Sequence, residues 1–289
     1  MITTLIIDGY QTCIKTGEDD LAKAMEKAYG KIPASAMLPP FFLFLEAYQQ
    51  VVVEIEAKTD ADSKKIRTDK VIRSRDINDK EIKDAETIIT KAILIDERVL
   101  LEKTFEKMNV KIPKEIINEL ADRKWTFFSE SVSLYPDVLV GLRELSQRYN
   151  LILCVDGCEK YEQQVMDKLS LTPFFDRIIT TDKIGLSKEN PSAWNVILKE
   201  LCCLKEEVLV LDDRPKVLLA AEVAGLRTVR VRRGKYRNLD NITPPDLEVD
   251  SLLQCTATSQ FFSNQLTNFL NNAKIKSNII KSNIFRARE

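Results

Sequence analysis

The sequence has no histidine among its 289 residues. Relays that depend on an imidazole, and metal sites with histidine ligands, are therefore excluded. The six cysteines form neither a CxxC pair nor a regular framework, so we expect free thiols, no zinc site and no redox pair. This use of cysteine favours a reducing, cytoplasmic compartment. Any catalysis must rest on carboxylates, lysines, tyrosines or a hard metal ion.

The sequence also has no excess of charge of either sign, because 43 Lys and Arg residues balance 44 Asp and Glu residues, for a formal net charge of −1. This balance gives no reason to expect binding to nucleic acid or to an anionic membrane. Apolar stretches such as Pro39–Leu45 are far shorter than the ~20 residues that cross a bilayer. At the N-terminus, Asp8 interrupts the apolar run before a signal peptide could form. We therefore expect a soluble protein.

From about residue 134 onward, short β-rich runs alternate with helical patterns, which predicts a parallel sheet covered on both faces. The predicted strands are Leu151–Val155, Arg177–Thr180, Val208–Leu211 and Thr228–Val231, with one more buried strand at Thr3–Ile7. The helix-like stretches are Pro136–Arg148, Lys160–Leu169, Pro191–Leu201 and Pro215–Ala224. The fold class is thus predicted to be α/β, with a Rossmann-like core.

Between about residues 14 and 132 the strand signals nearly vanish and helical patterns dominate. These patterns cover Asp19–Tyr29, Phe41–Ala57, Ile82–Phe105 and Lys114–Phe128, and the densely charged stretch Lys58–Lys83 is expected to be a solvated helix or a mobile connection. We therefore predict a core at residues 1–13 and 133–255 with an inserted all-helical cap at 14–132. The Asn-rich, mildly basic tail at 256–289 is expected to be disordered or to pack on the core.

Three predicted strands end in acidic residues. Asp8 follows the first strand, Asp156 and Gly157 follow a second, and Asp212 and Asp213 follow a third. Ligands of open α/β sheets bind outside the carboxyl ends of the strands, where gathered carboxylates suit a hard ion such as Mg²⁺. A single Asp in this position is more often a helix cap. Several together favour a site.

The chain resembles the haloacid dehalogenase-like hydrolase superfamily, in the group with a helical cap, from Thr3 to about Leu253. The segments that carry the resemblance occur in the family's order: Ile6–Thr12, Leu134–Val138, Leu151–Gly157, Phe174–Asp176, Asp182–Pro191, Val210–Pro215 and Ala224–Thr228.

The resemblance implies a role for each matching residue. Asp8 would attack an electrophilic phosphorus or carbon and form a covalent aspartyl intermediate. Mg²⁺ would be held by the Asp8 carboxylate, the Tyr10 backbone carbonyl and the Asp212 carboxylate, with Asp213 beside them. Lys188 would hold Asp8 and the transferring group by charge. Thr12, Val155, Asp156 and Gly157 complete the expected site as substrate-binding residues.

Two positions depart from the family's phosphatase pattern. Tyr10 stands where a second Asp acts as general acid, and a phenol with a pKa near ~10 is a poor substitute. Val155 stands where Ser or Thr binds the phosphoryl oxygens, and Asp156 would repel a phosphate unless it is protonated or turned away. The arrangement Asp8, Tyr10, Thr12 is also that of the true 2-haloacid dehalogenases, which need no metal.

Three functions therefore stay open. The first is a Mg²⁺-dependent phosphatase of a small phosphorylated metabolite, with Tyr10 among its catalytic residues. The second is a catalytically impaired protein that binds a ligand or partner. The third is a metal-independent dehalogenase, for whose substrate-binding arginine Arg67, Arg73 and Arg75 are available. The sequence carries no prediction of oligomeric state.

Several other side chains are interpreted as structural. Trp125 and Trp194 are expected in helix-packed cores, and Phe41, Phe42 and Phe44 in the core of the cap. A basic edge near a strand end is expected to be solvated; it consists of Arg230, Arg232, Arg233 and Lys235.

Overall fold

The computed structural model describes residues 2–17, 20–55 and 96–257. This part of the chain forms the strands β1 (Thr4–Ile7), β2 (Ile14–Lys15), β3 (Ser133–Leu134), β4 (Asn150–Val155), β5 (Arg177–Thr180), β6 (Val208–Asp212), β7 (Arg227–Val231) and β8 (Leu247–Val249). Six of them make one parallel sheet in the order β5-β4-β1-β6-β7-β8. The predicted α/β fold is confirmed.

The strand β1 lies at the centre of this sheet and is buried on both faces. Because side chains alternate across a strand, Leu5 and Ile7 join one hydrophobic cluster and Ile6 joins the other. Leu5 is in register with Leu151 of β4 and with Leu209 of β6. The residues that follow β1, β4 and β6 therefore emerge side by side at the carboxyl edge of the sheet.

Helices dominate the described residues between β2 and β3. They are α1 (Asp20–Tyr29), α2 (residues 41–55), α3 (Glu97–Lys107) and α4 (Lys114–Ser131). Their side chains form a hydrophobic cluster of their own around Phe44, Leu101 and Phe105. The structure thus shows a helical module with a hydrophobic cluster that is largely its own, although Ala24 and Phe128 belong to the cluster of the sheet. This agrees with the expected cap, whose bounds at 14 and 132 stay a prediction.

The remaining helices cover the sheet. They are α5 (Val138–Ser146), α6 (Glu159–Lys168), α7 (Thr181–Ile184), α8 (Pro191–Leu201), α9 (Pro215–Val223) and α10 (Leu252–Ala257), with 3-10 turns at Ala34–Ala36, Thr172–Phe174, Lys205–Glu207 and Gly234–Tyr236. Both α8 and α9 begin with proline, whose missing amide donor costs little at that position. No helix in the described part of the chain is long and apolar enough to span a membrane.

The module joins the core through two adjacent chain segments. The strands β2 and β3 pair antiparallel, with Ile14 opposite Leu134. Arg233, after β7, donates to the Thr12 carbonyl at 2.8 Å and pairs with the Asp137 carboxylate. One buried arginine therefore holds the segment that enters the module and the segment that leaves it.

The module also rests on α6 of the core. The Trp125 ring of α4 stacks on Tyr161 of α6, with the centroids 5.2 Å apart and the planes 7° apart. Beside this stack, the Lys160 ammonium pairs with the Asp122 carboxylate at 2.6 Å. Tyr161 is buried within the hydrophobic cluster of the helical module, so the first turn of α6 anchors the module to the core.

Two structural expectations are corrected, in each case for part of the set of residues concerned. Phe44 is buried as expected, but Phe42 is 69% exposed, because residues two apart on a helix lie on different faces. In the basic edge, Arg230 and Arg233 are buried, at 1% and 5% exposed, whereas Arg232 and Lys235 are exposed as expected. Arg230 donates to the carbonyls of Tyr236 and Leu239, which line its interior position. The short strands β2, β3 and β8 were not predicted.

Some predictions lie outside the described residues. They concern the charged stretch Lys58–Lys83, the first part of the helix predicted at Ile82–Phe105, the arginines Arg67, Arg73 and Arg75, and the tail from residue 258 onward.

Candidate active site at the carboxyl edge of the sheet

Asp8 lies directly after β1, at the carboxyl edge of the sheet. Its backbone N–H donates to the Leu211 carbonyl of β6 at 2.9 Å, which extends the pairing of the two strands by one residue. This bond brings Asp8 beside Asp212, the last residue of β6. The sheet itself thus places the predicted nucleophile and the predicted metal ligand together.

Three buried carboxylates gather at this point. Ligand oxygens of Asp8, Asp212 and Asp213 lie within 4.8 Å of one another, and these residues are 6%, 1% and 1% exposed. Burial and the charge of Asp212 raise the pKa of Asp8 to about 6. Burial and the charges of Asp8 and Asp212 raise the pKa of Asp213 to about 9.

This carboxylate trio fits a hard divalent cation. One Asp213 oxygen, Oδ2, is buried without a hydrogen-bond partner, which is costly unless something compensates it. Carboxylate oxygens are the ligands that Mg²⁺ takes, often only one or two of them with waters. Mg²⁺ at this place, and the Tyr10 carbonyl as a further ligand, stay predictions.

Lys188 is the cation next to the trio, as predicted. Its ammonium donates to the Asp8 carboxylate, to Asp212 Oδ2 at 3.1 Å and to the Cys154 carbonyl at 3.0 Å. Burial alone would lower the pKa of Lys188, but the carboxylates of Asp212 and Asp8 raise it above its ordinary value. The side chain is therefore a fixed positive charge that is in direct contact with Asp8.

The loop that carries Lys188 is held in place by residues at the start of α8. Trp194 of α8 is 1% exposed, and its indole Nε1 donates to the Lys188 carbonyl at 3.0 Å. Asn190 accepts from the Ser192 amide and begins α8 at the end of the loop. Trp194 is buried as the sequence predicts, and it also fixes the lysine loop.

Tyr10 is engaged by a residue that the sequence analysis missed. Its hydroxyl donates to Glu162 Oε2 at 2.7 Å, and Glu162 is 1% exposed. Burial raises the pKa of Glu162 to about 8, and burial together with Glu162 raises the pKa of Tyr10 well above its ordinary value. A signal existed, because Glu162 falls on the buried face of α6 with Val165 and Met166.

Asp156 at the end of β4 is paired and not free to repel a phosphate. The Arg214 guanidinium donates to Asp156 Oδ2 and also lies 3.7 Å from Asp212 Oδ1. Burial acts to raise the pKa of Asp156, but Arg214 and Lys188 lower it below its ordinary value. Asp156 is therefore ionised, and Arg214 is a second cation at the site that the sequence analysis did not single out.

The remaining predicted substrate-binding residues differ in their surroundings. Gly157 has φ +146° and donates to Thr181 Oγ1 at 3.0 Å, and a β-carbon there would collide with the Glu162 carboxyl. Val155 is fully buried, and a β-carbon on Gly9 would collide with it. Thr12 is also buried, and its hydroxyl has no hydrogen-bond partner. Their roles toward a substrate stay predictions.

Residues 72–231 match the model of a family described as haloacid dehalogenase-like hydrolase, which is more than half of the chain. The chain belongs to this family. The matched residues include Lys188, Asp212 and Asp213 but not Asp8, and the catalytic roles of all four stay predictions.

Curated relatives of this haloacid dehalogenase-like chain are named phosphatases. A glyceraldehyde 3-phosphate phosphatase of Methanopyrus kandleri is 32% identical over 123 residues, which cover 40% of this chain and 52% of the relative. The protein of that name from Methanocaldococcus jannaschii is 30% identical over 132 residues, which cover 44% and 58%. A phosphoglycolate phosphatase of Aliivibrio fischeri is 28% identical, with 35% and 45% covered. The chain spans about half the length of these relatives.

Solved structures of similar fold carry names of two different chemistries. A 2-haloacid dehalogenase of Pseudomonas syringae superposes with a TM-score of 0.58 at 16% identity, covering 91% of this chain and all of that one. A protein from Haemophilus somnus, titled a predicted phosphoglycolate phosphatase, gives 0.53 at 15% identity, with 88% and 98% covered. These likenesses show the haloacid dehalogenase-like fold and do not choose between the chemistries.

Proposed function

We propose that this protein is a Mg²⁺-dependent phosphohydrolase that acts through Asp8 on small phosphorylated metabolites in the cytoplasm. The observation that carries the proposal is the buried trio Asp8, Asp212 and Asp213 in contact with Lys188. The names of the curated relatives support a phosphorylated substrate. The trio favours a phosphatase over a metal-independent dehalogenase, because three buried carboxylates and one lysine leave negative charge to be compensated.

The residues of the chain divide the work as follows. One Asp8 oxygen attacks the phosphorus and forms an aspartyl phosphate while the bond from phosphorus to the leaving oxygen breaks. Lys188 holds Asp8 in place and offsets the charge that gathers on the transferring phosphoryl group. Mg²⁺, when bound by Asp8, Asp212 and Asp213, supplies positive charge to the phosphoryl oxygens. Arg214 keeps the Asp156 carboxylate paired beside the place of the phosphate.

We divide the chain into a core at 1–13 and 133–255 and a cap at 14–132. Catalysis belongs to the core in this proposal, and selection of the substrate belongs to the cap. The core holds every residue named above, and the cap would set which substrate fits over Asp8. This assignment rests on the hydrophobic cluster of the helical module, to which Tyr161 is the buried contribution of the core.

A second candidate is a catalytically impaired protein that binds a ligand without efficient turnover. One observation favours it: the Tyr10 hydroxyl, at the position of the missing acid, donates to Glu162. Without a free acid at this position, turnover of a phosphate ester with a poor leaving group would be slow, and binding would remain.

The proposal is tested with a panel of phosphate esters and anhydrides, assayed for phosphate release with Mg²⁺ and with a chelator. We expect release that needs both Mg²⁺ and Asp8, so that Asp8→Asn abolishes it. Chloride release from a 2-chloro acid in the presence of chelator would instead favour a dehalogenase. A folded protein that releases neither, with Asp8→Asn indistinguishable from the unaltered chain, would leave only the binding function.

A further inference from the structure

The leaving group is the point at which this site differs most from a phosphatase with two aspartates. The inference below rests on the proposed attack of Asp8 on phosphorus. When the bond from phosphorus to the leaving oxygen breaks, that oxygen takes the electron pair. A general acid that protonates it typically contributes ~10²–10⁴-fold to the rate. The need for this acid depends on how stable the departing anion is.

Tyr10 stands at the position of the acid, but its proton is already engaged. The hydroxyl carries a single hydrogen, and it is donated to Glu162 Oε2 at 2.7 Å. The ring is also held, since it lies 5.9 Å from the Phe128 ring. A tilt of the ring toward a leaving group would therefore break both contacts.

Glu162 is equally confined. It is 1% exposed, one of its oxygens accepts from Tyr10, and the other occupies the space that a β-carbon on Gly157 would take. A leaving group over Asp8 has no direct access to a side chain that is buried in this way.

The other side chains beside Asp8 are already engaged, in ion pairs and hydrogen bonds or as proposed metal ligands. Asp156 is a carboxylate paired with Arg214. The Lys188 ammonium donates to two carboxylates and a carbonyl. Asp212 and Asp213 are assigned to the metal, and the chain has no histidine.

We propose that the preferred substrates are phosphoryl compounds whose leaving group departs as a stable anion, namely acyl phosphates, and that alkyl phosphomonoesters are poor substrates. An acyl phosphate releases a carboxylate, whose conjugate acid has a pKa near ~4, so the departing oxygen needs no proton at neutral pH. An alkoxide needs one. The curated relatives are named for alkyl phosphates, so the proposal separates this chain from them.

The reaction balances without an acid. An Asp8 oxygen forms a bond to phosphorus, the bond from phosphorus to the acyl oxygen breaks, and the carboxylate leaves with the electron pair. Water then bonds to the phosphorus of the aspartyl phosphate and gives a proton to the solvent. The bond from phosphorus to Asp8 breaks, which restores the carboxylate and releases inorganic phosphate.

The experiment compares kcat/KM for acetyl phosphate and for glycerol phosphate with the purified full chain and Mg²⁺. Spontaneous hydrolysis is subtracted with Asp8→Asn. We expect acetyl phosphate to be favoured by ~10²-fold or more. Tyr10→Asp places a carboxyl at the acid position. It should lower the ratio of kcat/KM for acetyl phosphate to kcat/KM for glycerol phosphate by ~10-fold or more. Glu159→Gln, an exposed glutamate of the same helix, serves as the matched control and should keep the unaltered ratio.

Three other results would contradict the proposal or the function on which it rests. Equal kcat/KM values for the two substrates would overturn the proposal. So would a larger loss for glycerol phosphate than for acetyl phosphate in Glu162→Gln and Tyr10→Phe, because the Tyr10–Glu162 pair would then supply the proton. These two variants decide the matter if Tyr10→Asp does not fold. Turnover of neither substrate above Asp8→Asn would overturn the proposed function itself.

Discussion

The indole Nε1 of Trp194 donates a hydrogen bond to the backbone carbonyl of Lys188 at 3.0 Å. The side chain of the same lysine reaches Asp8. The helix α8 is therefore linked through one residue to Asp8, the proposed nucleophile, and the strength of this link can be measured.

Trp194→Phe should loosen the lysine loop. The substitution keeps an aromatic ring but removes the donor, which leaves the Lys188 carbonyl unpaired and costs about 1–3 kcal/mol of unfolding free energy. We also expect a several-fold fall in turnover, because Lys188 is held less firmly against Asp8. Denaturant unfolding and steady-state kinetics measure both effects.

Trp125→Phe is the control for this prediction, since the Trp125 Nε1 has no hydrogen-bond partner to lose. Equal losses of unfolding free energy in the two variants would show that lost ring volume, and not the hydrogen bond, accounts for the effect.

Removal of the site lysine should destabilise the protein as well as inactivate it. Lys188→Met removes the ammonium that contacts both Asp8 and Asp212, and breaking a buried pair in this way costs about 3–5 kcal/mol. Urea unfolding in the presence of a chelator measures the cost. Lys183→Met removes an exposed lysine that pairs with Glu159, and we expect no measurable change there. Similar values for the two variants would contradict the role of Lys188.

Mg²⁺ should stabilise the folded protein through the carboxylate trio. An ion that binds only the folded state adds about 2.7 kcal/mol at a concentration of 100 times its dissociation constant. We expect Mg²⁺ to raise the melting temperature of the unaltered chain, and to do so much less for Asp213→Asn. Sodium chloride at equal ionic strength is the control, and an equal shift with sodium would argue against a specific site.

The ion pair between Asp137 and Arg233 should make the free energy of unfolding depend on pH. Burial opposes ionisation of Asp137, but Arg233, Ser251 and the Leu252 amide lower its pKa below the ordinary value. A lowered folded-state pKa means that the stabilisation is present above the unfolded pKa of about 3.9 and is lost as the pH falls below it. The unfolding free energies of the unaltered chain and Asp137→Asn should therefore converge between pH 5 and about pH 2. A difference that stays constant over this range would refute the assignment.

Two neighbouring phenylalanines of α2 should contribute very differently to the free energy of unfolding. Phe44 is fully buried in the cluster of the helical module, and Phe44→Ala should cost about 3–5 kcal/mol. Phe42 is 69% exposed, so Phe42→Ala should change the unfolding free energy by less than about 0.5 kcal/mol. Thermal unfolding of both variants provides the comparison, and comparable losses would place Phe42 in a contact that the structure does not show.

The centre of the sheet was predictable from the sequence because β1, β4 and β6 are short, mostly apolar runs that lead into an aspartate. Arg177–Thr180 was predicted with the observed bounds, and β4 and β6 differ from their predictions by one residue. The position of Asp8 beside Asp212 follows from the same fact, since parallel strands end at one edge. A strand of three residues such as β8 carries too little pattern to be recognised.

The partners of buried charges were not predictable in the same way. Glu162, Arg214 and Arg233 meet Tyr10, Asp156 and Asp137 across 58 to 152 positions of sequence. The periodicity of a sequence reports only on neighbours within one helix or strand, so it does not predict contacts between residues this far apart in the chain. The buried pair of Lys124 and Glu97 in the helical module, 2.5 Å apart, is a further example. For these residues only the folded chain shows which charge is compensated by which.

The pairing of β2 with β3 has a consequence for protein engineering. Ile14 and Leu134 face each other across two antiparallel strands, so the chain leaves and re-enters the α/β part at nearly the same place. A tight turn of about two residues could join such strands. The whole intervening module could then be excised, or exchanged for that of another protein, without cutting any strand of the six-stranded sheet. If the proposed division holds, recombination at these two points would change the substrate range and leave the proposed catalytic residues in place.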